Sequence, residues 1–199
     1  MDYSKNVAAL EQAVARHAFI RNIAYHRLPD GTPDIKGNLE LWNRAMEPFV
    51  KTPLWPQGTP GWDDRDPLQG EPYLVYIPAP AGYEDAPTIL VAHGGGFSWR
   101  TGCEGPNVAW YFHQAGYHTA ILSYRLLPYD RHHAITDMQR ALRMLHSGQF
   151  GPGKKVIAMG FSAGGMLSGN CAVYGDDGDT QATDPIERLS SRMDACVVG

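Results

Sequence analysis

The sequence predicts an α/β fold built on a mostly parallel sheet with helices on both faces. From residue 71 onward, short continuous apolar runs alternate with longer segments of mixed character. Such runs suit parallel strands that are covered on both faces, and the longer segments have the length of the connecting helices. The first 70 residues lack this alternation. We therefore divide the chain into a helical extension or cap with a Pro/Gly-rich linker (1–70) and the N-terminal part of an α/β core (71–199).

The N-terminal 70 residues contain two helical patterns and one segment that breaks regular structure. Apolar residues recur at helical spacing within residues 4–21, which predicts an amphipathic helix, and more weakly within residues 39–50. Residues 53–62 are rich in proline and glycine, which is typical of a linker or an ordered loop.

The core shows strands and helices in strict alternation. Tyr73–Ile77 alternates and then stops at a proline, which indicates an edge or antiparallel strand. The continuous apolar runs predict four parallel strands: Thr88–Ala92, Thr119–Tyr124, Val156–Met159 and Ala195–Val198. The helices predicted between them are Glu104–Ala115, Ala134–His146 and Ala163–Tyr174. This order is the signature of a parallel α/β sheet.

The segment after Met159 has the pattern of a nucleophile elbow. It reads Gly160-Phe-Ser162-Ala-Gly164 and joins a predicted strand to a predicted helix. A nucleophilic serine needs such a strained turn so that its hydroxyl stands clear of the sheet, and small flanking residues allow the turn to be sharp. An ordinary glycine-rich turn between a strand and a helix is the alternative interpretation.

A second glycine-rich motif follows an earlier strand and strengthens the first. His93-Gly94-Gly95-Gly96-Phe97 comes directly after the strand that ends at Ala92. Acyl transfer needs N–H donors where the carbonyl oxygen becomes negative, and glycines leave such groups unshielded. The predicted oxyanion donors are the N–H groups of Gly95, Gly96 and Ala163. A flexible turn and a phosphate-binding loop are alternatives, but neither predicts the later serine motif.

These motifs together resemble the α/β-hydrolase superfamily, and within it the hormone-sensitive-lipase-like esterases and related carbohydrate esterases. The resemblance covers residues 71–199 and includes Ser123–Pro128 and Asp137 besides the two glycine motifs. Residues 53–56 and 75–78 look similar to the acetyl-xylan and feruloyl esterase branch. The resemblance implies that His93 and Gly94 support the loop, that Gly160 and Gly164 support the turn, and that Tyr124, Arg125 and Asp137 are structural.

The family's triad is incomplete in this sequence. The superfamily order is Ser, then Asp or Glu, then His, whereas the last histidine here is His146 and none follows Ser162. We therefore expect the acid and the base to lie beyond Gly199 or on a second chain, the 199 residues being a truncated or cleaved portion that is nearly inactive alone. His132 and His133 are a weaker alternative for the base, because a histidine pair at a helix start is more often a cap.

The remaining polar clusters have simpler interpretations. Residues 176–179 are acidic, and a solvated surface loop explains them better than a calcium site. The histidines and acids lack metal-ligand spacing, so we expect no metal and no cofactor. Five aromatic residues are candidates for a substrate surface, with Trp99 favoured, although such residues are more often core. They are Trp42, Trp55, Trp62, Phe97 and Trp99.

Composition limits the partners that the chain can have. The net charge of −4 gives no electrostatic reason to expect nucleic acid or an anionic membrane. No apolar run approaches the roughly 18 residues of a membrane span, and the first 20 residues lack a signal-peptide pattern. The cysteines at 103, 171 and 196 are widely spaced, which favours free thiols in a reducing compartment. A cytoplasmic location is the default prediction.

The sequence thus predicts a serine carboxylesterase that hydrolyses short-chain acyl esters, including acetylated carbohydrates, through an acyl-enzyme on Ser162. Two alternatives stay open. One is a non-catalytic hydrolase-like fragment that acts as a binding module or subunit, and the other is an amide or formamide hydrolase with the same site. The resemblance also implies that the helices before residue 71 form a cap over or beside the site.

Overall fold

The computed structural model describes residues 1–17, 20, 26–63, 68–151 and 155–199. Their six strands form one sheet in the order β1-β2-β4-β3-β5-β6. The strands are β1 (Thr52–Pro53), β2 (Tyr73–Ile77), β3 (Thr88–Ala92), β4 (His118–Ser123), β5 (Val156–Gly160) and β6 (Ala195–Val198). Strands β3 to β6 run parallel, and β2 pairs antiparallel with both β1 and β4. The predicted α/β class and the antiparallel β2 are confirmed.

Five α-helices within the described residues cover the two faces of this sheet. They are α1 (Lys5–Arg16), α2 (Ile35–Met46), α3 (Pro106–Gln114), α4 (Arg131–His146) and α5 (Ala163–Tyr174), and a 3₁₀ turn spans Gly102–Glu104. Alternate residues of the strands point to opposite faces. The core beneath α1, α2 and α3 includes Leu10, Trp42, Val75, Ile77, Ala109 and Ile121. The core beneath α4 and α5 includes Leu74, Tyr76, Leu90, Met138 and Leu167.

Helix boundaries differ from the prediction where capping decides them. Helix α2 begins four residues before the predicted Leu39, because the Asp34 carboxylate accepts a hydrogen bond from Gly37 N–H and caps the helix there. It ends at Met46 rather than at residue 50, shortly before Pro48, since a proline disfavours helix in the residue before it. The predicted 4–21 helix is seen at Lys5–Arg16, and residues 18, 19 and 21 lie outside the described part.

The helices of the core follow the same rule. The predicted Glu104–Ala115 helix is a 3₁₀ turn and then α3, which starts with Pro106 in its first turn, a position where proline is well tolerated. Helix α4 begins three residues before the predicted Ala134, because Asp130 accepts a hydrogen bond from His133 N–H at 3.2 Å. Helix α5 has the predicted bounds. Capping side chains and prolines therefore determine where the helices begin and end, which apolar periodicity alone does not predict.

The first 70 residues contribute to the sheet and to one of its faces. Strand β1 pairs antiparallel with β2, which extends the sheet. Helices α1 and α2 bury Leu10, Trp42 and Met46 against residues of β2 and β4. The side chain of Asn6 ties α1 to the sheet by donating to the Tyr76 carbonyl at 2.7 Å.

Candidate active site

Ser162 lies on a sharp turn between β5 and α5. Its backbone has φ 49° and ψ −115°, a left-handed conformation that is unfavourable for a residue with a side chain. The glycines on either side make the turn possible. A Cβ atom at Gly160 would lie 2.0 Å from the Gly164 carbonyl oxygen, and one at Gly164 would lie 2.2 Å from the Ala92 carbonyl oxygen. The turn exposes Ser162 at the carboxyl edge of the sheet.

The residue after β6 holds this turn in place. Ser162 N–H donates to the Gly199 carbonyl at 2.9 Å, and Gly199 N–H donates to the Gly160 carbonyl at 2.9 Å. The Ser162 hydroxyl, in contrast, forms no hydrogen bond with any residue that the structure describes. Ser162 therefore combines a fixed backbone with an unengaged hydroxyl.

Strand β3 continues into a glycine loop, residues 93–97. Gly95 and Gly96 have φ values of 121° and 60°, which favour glycine. A Cβ atom at Gly95 would lie 2.0 Å from the Trp99 carbonyl oxygen, and Trp99 N–H donates to the Gly95 carbonyl at 3.1 Å. The loop thus folds back tightly on itself, and only glycine fits at its bend.

The parallel register of β3 and β5 brings the glycine loop to the serine turn. Ala92 pairs with Gly160, so the two segments leave the sheet at the same level. Phe161 N–H donates to the Ala92 carbonyl at 3.2 Å. A Cβ atom on Gly94 would lie 3.3 Å from the Ser162 Cβ atom. The two motifs that the sequence singled out are therefore in direct contact.

Three backbone N–H groups of these segments are not used by the fold. Those of Gly95, Gly96 and Ala163 have no hydrogen-bond acceptor among the described residues. Ala163 is the first residue of α5, where an N–H group has no intrahelical partner and the helix dipole is positive. The site therefore offers free donors next to an exposed hydroxyl, an arrangement that can bind an anionic oxygen.

His93, the first residue of the glycine loop, is fully buried. Its Nδ1 atom lies 2.7 Å from the Gly94 carbonyl oxygen, and its ring stacks on Tyr124 at a centroid distance of 4.4 Å. Burial, and to a lesser extent the Arg100 guanidinium, lower the pKa of His93 to about 3. A ring with so low a pKa is a poor proton acceptor near neutral pH. His93 is therefore placed to support the loop rather than to serve as a base.

The residues that follow β4 stabilise the buried side of the glycine loop and the core next to it. The Tyr124 hydroxyl donates to the His93 carbonyl at 2.7 Å. Arg125 and Asp137 form a fully buried ion pair in which two guanidinium nitrogens contact the carboxylate, and Asp137 also accepts from Arg125 N–H at 2.7 Å. This geometry satisfies both charges within the core, which suits a structural pair.

Glu104 is a site residue that the sequence reasoning missed. Its Oε2 atom accepts a hydrogen bond from Gly94 N–H at 2.8 Å. Burial raises the pKa of this carboxyl, while the bonds from Gly94 and Thr101 act in the opposite direction. The sequence treats Glu104 only as a helix start. An acidic residue ten positions after the first glycine of the loop, just before Gly105 and Pro106, was the available signal.

The five aromatic candidates lie in different environments. Phe97 and Trp99 are half-buried beside the glycine loop, and Phe97 also has a positive φ of 57°. Trp42 is only 1% exposed and belongs to the core under α2. Trp55 packs against the opposite core, and Trp62 stacks on a tyrosine ring outside the loop. Of the five, Phe97 and Trp99 are the two beside the serine turn.

A small cavity adjoins the glycine loop between α4 and α5. Its volume is about 190 Å³. It is lined by Phe97, Arg131, Ile135, Leu167 and Asn170. Phe97 directly follows the free N–H of Gly96, and Leu167 lies one helical turn after Ala163. The cavity is therefore close in sequence to both motifs, and its walls combine apolar side chains with the polar Arg131 and Asn170.

No histidine ring among the described residues bonds to the Ser162 hydroxyl. His133 pairs instead with Asp130 at 2.8 Å, in the first turn of α4. His146 contacts the Ser190 carbonyl at 2.9 Å. His132 is exposed on α4. The structure thus gives neither His132 nor His133 a contact with the serine.

The acidic residues after Ser162 are engaged elsewhere. Asp176 pairs with Arg143 at 2.6 Å, and Asp184 and Glu187 pair with Arg140 at 2.7 and 2.8 Å. The acidic stretch 176–179 lies in a surface loop, as predicted, and Asp176 in it also pairs with Arg143 of α4. Within the part of the chain that the structure covers, no cluster of His, Cys, Asp and Glu has metal-site geometry. Similarly, none of the described helices has both the length and the apolar character of a membrane span.

The fold and the two contacting motifs define an esterase-like α/β-hydrolase. The BD-FAE family model matches residues 74–197, and the chain belongs to that family. Endo-1,4-beta-xylanase B of Butyrivibrio fibrisolvens is 33% identical over 97 residues, which are 45% of this chain and 15% of that protein.

Solved structures agree with this assignment. The acetyl ester-xyloside bifunctional hydrolase from Caldicellulosiruptor lactoaceticus is 30% identical with a TM-score of 0.69, over 75% of this chain and 56% of that chain. The butyrate-bound esterase Est2 of the Planctomycetes species Thermogutta terrifontis shares the fold, with 19% identity and a TM-score of 0.57 over 75% of this chain and 52% of that chain. The present chain thus spans little more than half the length of either structural relative.

Proposed function

We propose that this protein is a serine carboxylesterase in which Ser162 is the nucleophile. The observation that carries the proposal is the contact between the strained Ser162 turn and a glycine loop with free N–H groups. Strained backbone at a functional residue, together with unengaged donors beside it, is the arrangement that acyl transfer requires.

In the proposed mechanism the Ser162 hydroxyl attacks the ester carbonyl carbon and loses its proton to a base. The carbonyl oxygen becomes negative and accepts hydrogen bonds from Gly95, Gly96 and Ala163 N–H. Collapse of this intermediate breaks the ester C–O bond, and the base returns its proton to the leaving oxygen, which departs as the neutral alcohol. The acyl-enzyme that remains is hydrolysed by water through the same steps. The described residues bring no histidine to Ser162, so the proposal assigns the base and its acid to a part of the protein outside residues 1–199, or to a second chain.

Short-chain acyl esters of carbohydrates are the proposed substrates. The cavity of about 190 Å³ next to Phe97 of the glycine loop has a volume suited to a short acyl group. The names of two relatives, an acetyl ester-xyloside bifunctional hydrolase and a xylanase, support a sugar as the alcohol.

Replacement of Ser162 by alanine tests the proposal. The intact protein is expected to hydrolyse 4-nitrophenyl acetate and butyrate faster than the octanoate, and Ser162→Ala should lower kcat by at least about 1,000-fold, since the acyl-enzyme can no longer form. Ser147→Ala, at the end of α4, is the matched control and should leave kcat unchanged. Activity that survives Ser162→Ala would reject the nucleophile assignment.

A non-catalytic role is the second candidate, because the Ser162 hydroxyl has no hydrogen-bond partner in the described part of the chain. In that case the intact protein would not turn over any ester, yet would still bind a short ester or its alcohol. Isothermal titration with acetylated xylose, alongside the turnover assay, separates a binding module from an esterase.

A further inference from the structure

Glu104 lies against the glycine loop, and the mechanism proposed above does not use it. The residue is half-buried and ends the 3₁₀ turn that leads into α3. Its Oε2 atom accepts from Gly94 N–H at 2.8 Å. This is the one backbone donor of residues 94–96 for which the described residues provide an acceptor. The loop thus has one fixed N–H group directly before two free ones.

The carboxylate and the serine turn meet on the same side of Gly94. A Cβ atom at Gly94 would lie 2.5 Å from Glu104 Oε2, 3.0 Å from the Phe161 carbonyl oxygen and 3.3 Å from Ser162 Cβ. Because Gly94 has no side chain, the Glu104 carboxylate can approach its N–H group. If the Glu104 carboxylate were removed, the Gly94 N–H group would have no hydrogen-bond acceptor among the described residues.

Glu104 is itself held from two directions. Its N–H donates to the Thr101 carbonyl at 3.1 Å, which closes the 3₁₀ turn. The next residue, Gly105, packs flush on Trp42, because a Cβ atom there would lie 2.7 Å from the Trp42 ring. Trp42 in turn lies 5.2 Å from the His93 ring. Glu104 is consequently held in place by packing that connects α2 to the glycine loop.

We propose that Glu104 is a positioning residue that fixes Gly94 through its N–H group and thereby aims the N–H groups of Gly95 and Gly96 at the reacting carbonyl oxygen. This inference rests on the proposed esterase function. A loop that moves by about 1 Å can cost on the order of 100-fold in rate, because donors must meet the oxygen at hydrogen-bond distance. Glutamine at position 104 keeps an amide oxygen for Gly94 N–H, whereas alanine removes the acceptor.

The test compares Glu104→Ala with Glu104→Gln in the intact protein. Glu104→Ala should lower kcat for 4-nitrophenyl acetate by about 10- to 100-fold with KM changed less than about threefold, since the oxyanion donors act mainly in the transition state. Glu104→Gln should retain kcat within about threefold. Glu71→Ala is the matched control: Glu71 also fixes a loop, by accepting from Thr59 N–H at 3.0 Å, but it lies away from the glycine loop, so kcat should not change.

Amide hydrogen exchange supplies a readout that does not depend on activity. A peptide covering residues 89–98 should exchange faster in Glu104→Ala than in the parent protein, and Glu104→Gln should restore the slow exchange. If exchange changes as expected while no variant hydrolyses esters, the esterase function fails but the positioning contact stands. The inference is overturned if Glu104→Ala keeps both kcat and slow exchange, or if Glu104→Gln loses as much as Glu104→Ala.

Discussion

Two loops at opposite edges of the sheet are held in opposite ways: the glycine loop leaves the carboxyl end of β3, and the loop before β6 joins the amino end of that strand. The glycine loop after β3 is held by close backbone packing and by the Glu104 carboxylate, and it leaves two N–H groups unused. The loop between α5 and β6, residues 175–194, is held by ion pairs to arginines of α4 and by its own polar groups. For example, Ser191 N–H donates to the Asp176 carbonyl at 2.9 Å, and Asp179 N–H to the Glu187 carbonyl at 2.9 Å.

This contrast separates a loop for which we propose a part in the reaction from a loop that serves the fold. Backbone donors that stay free next to a reactive group cost stability, because a folded chain normally pairs its polar groups. The glycine loop offsets that cost with tight packing on His93 and the serine turn. The 175–194 loop uses many of its polar groups in ion pairs and hydrogen bonds within the fold. We therefore expect activity to depend on the first loop, while the second affects stability alone.

Gly95→Ala should produce the largest effect, and it tests most directly whether activity depends on the shape of the glycine loop. The new Cβ atom would lie 2.0 Å from the Trp99 carbonyl oxygen, at a φ of 121°, so the bend must open and displace the neighbouring N–H groups. We expect kcat/KM for 4-nitrophenyl acetate to fall by about 100-fold or more.

Gly58→Ala is the matched control for that change. Gly58 has a similar φ of 110°, but nothing lies within 4 Å of its Cβ position. It should cost about 1 kcal/mol of stability and no activity. Equal activity losses in the two variants would mean that backbone strain in general, and not the shape of the glycine loop, limits the reaction.

His93→Asn tests how the glycine loop is supported, through the dependence of stability on pH. Because the pKa of His93 is about 3 in the folded protein and about 6.5 in the unfolded chain, the unfolded chain binds a proton below pH 6.5 that the folded chain does not. Stability is therefore lost as the pH falls from about 6.5 towards 3. Between pH 6 and pH 4 the parent should lose on the order of 2 kcal/mol more than His93→Asn.

Urea unfolding of both proteins at the two pH values measures this difference directly. All other titrating groups are common to the parent and the variant, so they cancel in the comparison. Equal losses in the two proteins would show that His93 takes up its proton while folded, and that the loop is not supported by a buried neutral ring.

The contact of the glycine loop with the serine turn could be predicted from sequence because its parts are local. Each part can be recognised from a short run of residues. These parts are the strand Thr88–Ala92, the helix Ala163–Tyr174 and the glycines of the two motifs. Two parallel strands place their carboxyl ends at the same edge, so the contact between the loop and Ser162 follows from the fold class. The esterase-like resemblance could be stated on the same residues.

Glu104 could not be predicted, because its function depends on a tertiary contact. Its place just before Gly105 and Pro106 was a local signal, but a first-turn glutamate of a helix has the same setting. The contact with Gly94 N–H depends on the packing of Gly105 on Trp42. Trp42 comes from the N-terminal helices, whose contacts with the glycine loop leave no periodic signal. The ion pairs of residues 175–194 were missed for the same reason, since acidic residues in a loop give no indication of their arginine partners.

The smallest effect is expected at the 175–194 loop, where Asp176→Asn removes the charge opposite Arg143. The pair is short at 2.6 Å, but the Asp176 side chain is 46% exposed, so solvent screens the interaction. We expect a loss of about 1 kcal/mol or less in the free energy of unfolding, smaller still in 1 M salt, with kcat unchanged. A double-mutant cycle with Arg143→Met isolates the pair energy. A fall in kcat without a matching loss of stability would show that this loop, too, takes part in the reaction.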